Sequence, residues 1–253
     1  MKPAQELRII PLPFEKDIQP GDLLVQHVLG VLRRRKLVFR AGDILVVKHK
    51  IVSKAEGQIV DLARIKPSRS SQAWARRYNL DPRVTELALT HARRVLRRKR
   101  GVLITETRQG FVCANSGVDV SNVDGGCHAL ILPNDSDGSA ARLHRELKKH
   151  LHLSIPVIIT DTFGRPWREG LTEVAIGVAG MKALRDYRGG RDPWGYPLRA
   201  SVDAVADLLA CAAGLVCGKL NRVPACIIRG FVYEPGRGTA RDLIRPAAAD
   251  LFR

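Results

Sequence analysis

A mixed α/β fold is predicted by three observations on this chain of 253 residues. Short β-rich runs end abruptly in polar residues, helix-length amphipathic segments lie between these runs, and 45% of the residues are hydrophobic. A chain of this length and content can bury a core as one large domain or as two small ones. The predicted class is therefore α/β, or mixed α+β, in a single domain over residues 1–253.

The predicted elements alternate along the chain. Strands are predicted at residues 43–47, 101–105 and 156–160. Helices are predicted at residues 22–34, 70–79, 82–98, 139–150 and 201–219. Within 82–98, apolar residues fall at helical spacing, which places the arginines on the other faces of that helix.

Two segments interrupt this pattern. Residues 133–138, with the sequence Pro-Asn-Asp-Ser-Asp-Gly, predict a strong turn where two subdomains would divide. Residues 188–197 combine three Gly and two Pro without periodicity, which predicts a functional loop.

A cytoplasmic protein without a membrane segment is expected. The longest apolar run, residues 208–217, is shorter than the roughly 20 residues that a membrane-spanning helix needs, so it predicts a buried helix. The N-terminal residues show no continuous hydrophobic segment and no small-residue cleavage site. Five irregularly spaced cysteines indicate neither a disulfide framework nor a zinc site.

The net charge of +17 favours polyanionic partners such as nucleotides, phosphorylated or carboxylated substrates, or nucleic acid. Much of the excess lies in two clusters, residues 33–36 and 93–100. Both are interpreted as solvated helix surface, with polyanion binding as the alternative. No stacking aromatics interleave with them, whereas a site for single-stranded nucleic acid is expected to contain some.

The segment 160–168, Thr-Asp-Thr-Phe-Gly-Arg-Pro-Trp-Arg, follows a predicted strand and carries candidate chemistry. Strand ends in α/β folds are where ligands bind. Asp161 and Thr162 offer hard oxygen donors for Mg²⁺ or Mn²⁺, and Arg165 and Arg168 can grip phosphate or carboxylate oxygens. In the alternative, Asp161 caps a helix and the arginines are surface residues.

Two further segments supply candidate ligands. Asp119 and Asn122, three residues apart, would converge if the backbone turns there, and would add a metal ligand; ordinary turn chemistry is the alternative. The strand at 43–47 runs into a basic segment with hydroxyl and imidazole donors for phosphates, namely Lys48, His49, Lys50, Ser53 and Lys54.

Asp203 and Asp207 are four residues apart and would share one face of the helix predicted at 201–219. Buried acids need partners, which a metal or an arginine would provide. Neither a Walker loop nor a G-x-G-x-x-G pattern occurs, so a nucleotide would need a different cradle. The seven histidines show no zinc-ligand spacing, and no Gly-x-Ser-x-Gly elbow indicates a serine hydrolase.

These segments together resemble the coenzyme F420-0:L-glutamate ligase family, the gamma-glutamyl ligases of the deazaflavin coenzyme. The resemblance is collinear over about residues 7–230. It is carried by the blocks G-D-I-L-V-V-K-H-K-I-V-S-K-A-E-G, G-F-V-C-A-N-S-G-V-D-V-S-N-V, L-P-N-D-S-D-G-S-A, V-I-I-T-D-T-F-G-R-P-W-R-E-G, V-A-I-G-V-A-G and D-Y-R-G-G-R-D-P-W-G-Y-P-L.

The resemblance implies the gamma-glutamyl ligase fold in an intertwined homodimer, with GTP and two divalent ions, Mg²⁺ or Mn²⁺, and K⁺ as a further candidate. Asp119 and Asp161 would hold one metal and Thr162 would reach the other. The nucleotide would be surrounded by His49, Lys50, Ser53, Lys54 and Asn122. GTP would phosphorylate the terminal carboxylate of the coenzyme precursor, and the amine of L-glutamate would then displace phosphate to form an amide.

The sequence departs from the family pattern on the helix predicted at 201–219. Where the family carries A-D-E, this chain has Ala206-Asp207-Leu208, and Gly214 occupies another usually acidic position. Asp207 or Asp203 would then serve as the ligand of the second metal, or that metal is held weakly. Two alternatives therefore remain beside the leading hypothesis: a related carboxylate-amine ligase with a different acceptor, and a noncatalytic homologue that binds a polyanion.

Overall fold

The fold is mixed α/β, as predicted, in a computed structural model that describes residues 6–250. The strands are β1 Arg8–Leu12, β2 Ile44–Lys48, β3 Ile59–Asp61, β4 Ala92–Lys99, β5 Val102–Thr107, β6 Val112–Ala114, β7 His128–Leu130, β8 Val157–Arg165, β9 Arg168–Ala179, β10 Arg185–Asp186, β11 Val202–Asp203 and β12 Ala225–Arg229. The α-helices are α1 Leu24–Arg34, α2 His49–Ala55, α3 Arg69–Tyr78, α4 Pro82–His91, α5 Ser136–Leu151 and α6 Val205–Cys217.

A five-stranded sheet with the order β1-β12-β2-β8-β9 forms the centre of the molecule. Strands β2 and β8 are parallel, with Lys48 opposite Thr160, and the other neighbours in this sheet are antiparallel. Parallel strands end at the same edge of a sheet, so the chain leaves β2 close to the point where β8 turns polar.

The central strands are apolar because helices cover the sheet. All of the residues from Ile44 to Val47 in β2 are buried, and so are Val157, Ile158 and Ile159 in β8. Helices α5 and α6 both pack on β9, and α5 also contacts α1. Helix α1 buries Val25, Val28, Val31 and Leu32, the stripe of an amphipathic helix.

The three predicted strands are confirmed as β2, β5 and β8. Four predicted helices are confirmed as α1, α3, α5 and α6, with ends that shift by a few residues. Residues 188–197 lie outside the helices and long strands, as expected for a loop. In the described chain every helix is too short or too polar to cross a bilayer.

The prediction of one helix over residues 82–98 is wrong in its second half. Helix α4 ends at His91, and the arginine-rich remainder is β4, which pairs antiparallel with β5. A two-residue turn joins β4 and β5, and both of its residues have positive φ, Arg100 at 51° and Gly101 at 80°. No glycine marks the helix end, so pairing with β5 decided the structure against the helical spacing.

Two predictions about turns and helix ends need correction. The turn predicted over residues 133–138 is confined to Asn134 and Asp135, because Asp135 is the N-cap of α5 and its side chain accepts a hydrogen bond from the backbone of Gly138. Asp203 lies in β11, so it does not share a helix face with Asp207.

The apolar run at residues 208–217 is helical but only partly buried. It belongs to α6, which buries one face against the sheet. On its other face Leu208 is 60% exposed and Leu215 is 84% exposed. The prediction of a buried helix is therefore wrong for this face, because an Ala- and Leu-rich run has no polar residues to mark the exposed side.

The N-cap of α4 provides a prediction about pH. Asp81 accepts a hydrogen bond from the backbone of Arg83, and the Arg83 guanidinium lowers the pKa of Asp81 below its ordinary value of 3.8. Asp81→Ala should cost about 1 kcal/mol of unfolding free energy near pH 7. A lowered pKa stabilises the folded state above about pH 3.8, so this cost should shrink as acid protonates the carboxyl group.

Urea unfolding of the wild type and Asp81→Ala, near pH 7 and near pH 3, measures this effect. Asp81→Asn is the matched control, since asparagine also caps helices. An equal cost for Asp81→Ala at both pH values would contradict the explanation.

Candidate functional site

A cavity of about 650 Å³ lies at the carboxyl end of β2 and beside the middle of β8. Its wall combines the connection before α1, the beginning of α2, the loop after Asp119, the end of β8 and the connection between α6 and β12. Residues from these five segments are Phe14 to Ile18, Lys48 to Ile51 with Lys54, Asp119 with Ser121 to Gly125, Thr160 to Thr162 with Leu171, and Cys217 to Leu220 with Arg222 to Pro224.

Three consecutive basic residues at the junction of β2 and α2 each meet a different carboxylate. The pairs are Lys48 with Glu173, His49 with Asp161, and Lys50 with Asp119. The backbone changes from extended to helical at this junction, so successive side chains point in different directions. A single short segment can therefore reach acids on β9, on β8 and in the loop before β7.

His49 lies between the side chains of Asp161 and Ser53. Its Nε2 lies 3.2 Å from Asp161 Oδ1, and its Nδ1 lies 3.3 Å from Ser53 Oγ. His49 is 2% exposed and Ser53 is fully buried. Ser53 does not line the cavity, so it orients the imidazole rather than facing a ligand directly.

Asp119 and Lys50 form the second pair. Lys50 Nζ lies 2.7 Å from Asp119 Oδ2 and also donates to the backbone and hydroxyl oxygens of Ser121, both at 2.8 Å. Burial alone would raise the pKa of Asp119, but the hydrogen bonds from Lys50 and Ser121 hold that pKa below its ordinary value. Asn122 is exposed, adopts a φ of 57° and lines the same cavity.

Lys54 lies on the next turn of α2 and is paired with an acid that the sequence did not indicate. Its Nζ donates to both oxygens of Asp17, at 2.9 and 3.0 Å. The Lys54 side chain is 8% exposed, whereas that of Asp17 is 67% exposed. A buried ammonium that faces the cavity and pairs with a surface carboxylate can exchange that partner for an anionic ligand.

Thr162 is held by β9. Its hydroxyl donates to Glu173 Oε1 at 2.9 Å, and Thr162 is the cross-strand partner of Glu173. The carboxylate of Glu173 also accepts a hydrogen bond from Lys48, so a buried Glu173 lies behind the cavity wall and joins Thr162 to Lys48, which both line the cavity. Asp161 and Thr162 face the cavity, as predicted, but β8 continues to Arg165, so they lie within this strand, just beyond its pairing with β2, rather than after its end.

The two arginines of the same segment lie apart from this group. Arg165 and Arg168 pair across the tip of the β8–β9 hairpin, and neither lines the cavity. Arg165 donates to the backbone oxygen of Glu169, and Arg168 is exposed.

Asp207 also lies outside the cavity lining. Its Oδ1 accepts a hydrogen bond from the backbone nitrogen of Ala175 at 2.8 Å, which ties α6 to β9. Burial raises the pKa of Asp207 above its ordinary value. This carboxylate therefore contacts the sheet and does not face the cavity.

Glu173, Asp17 and Ser121 were not predicted as site residues. A signal existed for Glu173, because this carboxylate directly precedes the apolar run Val174–Ala179 of β9, where a charged group needs a buried partner. Asp17 and Ser121 lie in connections without periodicity, and only their contacts with Lys54 and Lys50 single them out.

The donor set fits Mg²⁺ or Mn²⁺ when a nucleotide contributes ligands. Asp119, Asp161 and Thr162 present hard oxygen donors to one cavity. Within residues 6–250, no group of three or more His, Cys, Asp or Glu side chains is arranged to hold a metal by itself. Mg²⁺ is commonly held by one or two carboxylates together with substrate phosphates and water, which this arrangement allows.

The fold and the site define an α/β protein with a cavity lined by lysines and aspartates where β2 and β8 run parallel. The sequence pattern of the F420-0:Gamma-glutamyl ligase family matches residues 15–230 of this chain. The chain belongs to that family of ligases. The match confirms the resemblance proposed over residues 7–230, with a start eight residues later.

Curated relatives agree with this assignment over most of their length. The chain is 43% identical over 252 residues to the coenzyme F420:L-glutamate ligase of Methanopyrus kandleri, covering 98% of each chain. It is 43% identical over 236 residues to the protein of the same name from Methanothermobacter thermautotrophicus, covering 92% of this chain and 93% of the relative. The Methanocaldococcus jannaschii protein of that name is 41% identical over 213 residues, covering 84% and 85%.

Proposed function

We propose that this protein joins L-glutamate to the deazaflavin coenzyme F420 precursor at the expense of GTP. The family assignment supports glutamate ligation to a coenzyme F420 precursor. The observation that carries the proposal is that two lysine-carboxylate pairs, Lys50 with Asp119 and Lys54 with Asp17, line one cavity together with Asp161. Such pairs can be exchanged, because the cations can bind phosphates while the carboxylates bind metal ions.

The reaction has two balanced steps. A carboxylate oxygen of the precursor attacks the γ-phosphorus of GTP, which breaks the bond to the β-phosphate and gives an acyl phosphate and GDP. The amine of L-glutamate then attacks the acyl carbon, phosphate leaves, and the amine loses a proton as the amide forms. Phosphoryl transfer of this kind depends mainly on positioning and charge stabilisation, which the cavity can supply.

Individual residues have distinct proposed roles. Lys50, Lys54 and Asn122 line the cavity and would contact the nucleotide. His49 keeps Asp161 in place from the buried side, since its other nitrogen is occupied by Ser53. When GTP and metal bind, Lys50 would leave Asp119 and turn to the phosphates, because its side chain, at 24% exposed, is more exposed than those of Lys48 and Lys54.

Divalent ions would be held by Asp119 and Asp161 at one site and by Thr162 at a second. Such ions neutralise the charge that builds up on transferring phosphate oxygens. Asp207 does not line this cavity, and its Oδ1 accepts a hydrogen bond from the backbone of Ala175. We therefore place both ions, and any K⁺, on the side of the cavity formed by β8 and the Asp119 loop.

Arg165 and Arg168 are proposed to act in a homodimer. They lie at an exposed hairpin tip beside Leu171, which is 59% exposed, and α6 exposes Leu208 and Leu215. Exposed apolar residues of this number commonly mark an interface between subunits. Light scattering after size exclusion tests the dimer: the mass should be twice 27.9 kDa, and a monomer at every concentration would contradict it.

The activity is tested by incubating the chain with GTP, Mn²⁺, L-glutamate and the coenzyme precursor. GDP and phosphate should appear in equal amounts with a product one glutamate heavier than the precursor. Separate omission of glutamate and precursor shows whether GTP is consumed only when both are present. The proposal fails if no glutamylated product forms; a different acceptor is indicated if other carboxylic acids are consumed instead.

A further inference from the structure

Glu173 lies beneath the cavity, where its carboxylate contacts two side chains that face a ligand. Oε1 accepts the hydroxyl of Thr162 at 2.9 Å and also accepts Lys48 Nζ. Lys48 and Thr162 both line the cavity, whereas Glu173 does not. The position is defined by the sheet, because Glu173 is the direct cross-strand partner of Thr162.

The hydroxyl of Thr162 has one proton and two lone pairs. Because the proton is donated to Glu173, the lone pairs of Thr162 are left for a cation in the cavity. The ammonium of Lys48 has three protons, and its ion pair with Glu173 Oε1 uses one of them. The remaining donors are available to an anion, since the Lys48 side chain keeps 18% of its surface exposed.

The second oxygen of Glu173 is unusual. Glu173 is 7% exposed, and among residues 6–250 its Oε2 has no hydrogen-bond partner. A buried, unpartnered carboxylate oxygen is costly, and it is retained more readily where the negative charge serves a purpose. A carboxylate beneath a hydroxyl and an ammonium favours a positive charge in the cavity above them.

Helix α6 makes room for this carboxylate. A Cβ atom at Gly214 would lie 2.7 Å from Glu173 Cγ, so any larger residue would displace the side chain. One turn earlier, the thiol of Cys211 donates to the backbone oxygen of Glu173 at 3.0 Å. Glycine at position 214 is therefore explained by the space that the Glu173 side chain needs. It is not explained by helix stability, because glycine in a helix interior lowers that stability.

We propose that Glu173 is a positioning residue of the ligase site. It takes the hydroxyl proton of Thr162 and one ammonium proton of Lys48, so that Thr162 presents lone pairs to a divalent ion and Lys48 presents protons to a phosphate or carboxylate. This inference rests on the proposed function, since it concerns the same cavity. Outer partners of this kind typically change metal affinity by 10-fold to 100-fold when they are removed.

Mn²⁺ binding in the presence of GTP tests the proposal without relying on turnover. Free Mn²⁺ is measured by electron paramagnetic resonance for the wild type, Glu173→Gln, Thr162→Val and the double variant. Glu173→Gln should weaken one class of Mn²⁺ site by about 10-fold to 100-fold. Because Glu173 acts through Thr162, the double variant should bind Mn²⁺ no more weakly than Thr162→Val alone.

Gly214→Ala provides a second variant that keeps the carboxylate and moves it. It should weaken the same class of Mn²⁺ site, and it carries the test if Glu173→Gln does not fold. Gly30→Ala is the matched control in α1, because its new Cβ would meet only the far end of the Arg34 side chain, at 3.4 Å. This control should bind Mn²⁺ as the wild type does.

The outcomes separate the two proposals. If the wild type binds neither Mn²⁺ nor GTP, the proposed function is overturned and this inference with it. If the wild type binds both and Glu173→Gln binds Mn²⁺ equally well, or if the losses in the double variant add, Glu173 is only a structural ion-pair partner and this inference alone is overturned.

Discussion

Asp161→Asn is expected to lower the rate of GDP formation by about 10³-fold, because an ion that neutralises phosphate charge contributes several kcal/mol to catalysis. Asparagine keeps the size and one oxygen of the aspartate but loses the charge that attracts the ion. The side chain is 12% exposed and faces both the cavity and His49. Mn²⁺ affinity should fall with the rate.

Asp135→Asn is the matched control for this substitution. Asp135 is the exposed N-cap of α5, and asparagine caps a helix about as well as aspartate does. Its rate and Mn²⁺ affinity should stay close to those of the wild type. Steady-state GDP formation at saturating GTP measures the effect, and an Asp161→Asn variant within tenfold of the wild-type rate would rule out a metal-binding role for Asp161.

Asp43→Ala is expected to lower the free energy of unfolding by about 3–5 kcal/mol, since it removes one partner of a buried ion pair. Asp43 Oδ1 and Oδ2 accept from Arg229 Nε and Nη2 at 2.8 and 2.7 Å, and Oδ2 also accepts from the backbone of Arg40 at 2.8 Å. The side chain of Asp43 is 1% exposed and that of Arg229 is 16% exposed. Alanine would leave the guanidinium without its counter-charge between β2 and β12.

A double variant separates the ion pair from simple loss of volume. In Asp43→Leu with Arg229→Met both charges are removed, so its loss of stability should be smaller than the sum of the single variants. Urea unfolding at equilibrium gives these values. A loss below about 1 kcal/mol for Asp43→Ala would show that water replaces the pair at little cost.

The sequence predicts two of the five strands of the central sheet, β2 and β8, from local patterns, and it misses β1, β9 and β12. In both predicted strands a short apolar run, residues 44–47 and 157–159, is followed by polar residues. This pattern can be recognised without knowing which strands lie next to it. The failure at β4 has the opposite origin. Ala92–Lys99 is a strand because β5 pairs with it. Such pairing between two segments cannot be predicted from the pattern of either segment alone.

The site divides in the same way. The sequence indicates four residues of the cavity because they follow apolar runs or lie in turn-rich segments, namely Lys50, Asp119, Asp161 and Thr162. The structure brings them to one cavity. The partnership of Lys48 with Glu173 depends on the register of β8 against β9, with its irregularity between Ile159 and Thr160. A shift of one residue would move Glu173 to the other face of the sheet, and no sequence pattern states this register.

The order of strands in the central sheet has a consequence for how the chain is made. Strand β1 pairs with β12, with Arg8 opposite Arg229 in the register, and β12 lies between β1 and β2. During synthesis β1, and the edge of β2 that faces β12, therefore stay unpaired until β12 has been made, although β2 can pair with β8 earlier. We expect folding to be slow and post-translational, and the nascent chain to need protection from aggregation while those strand edges are open.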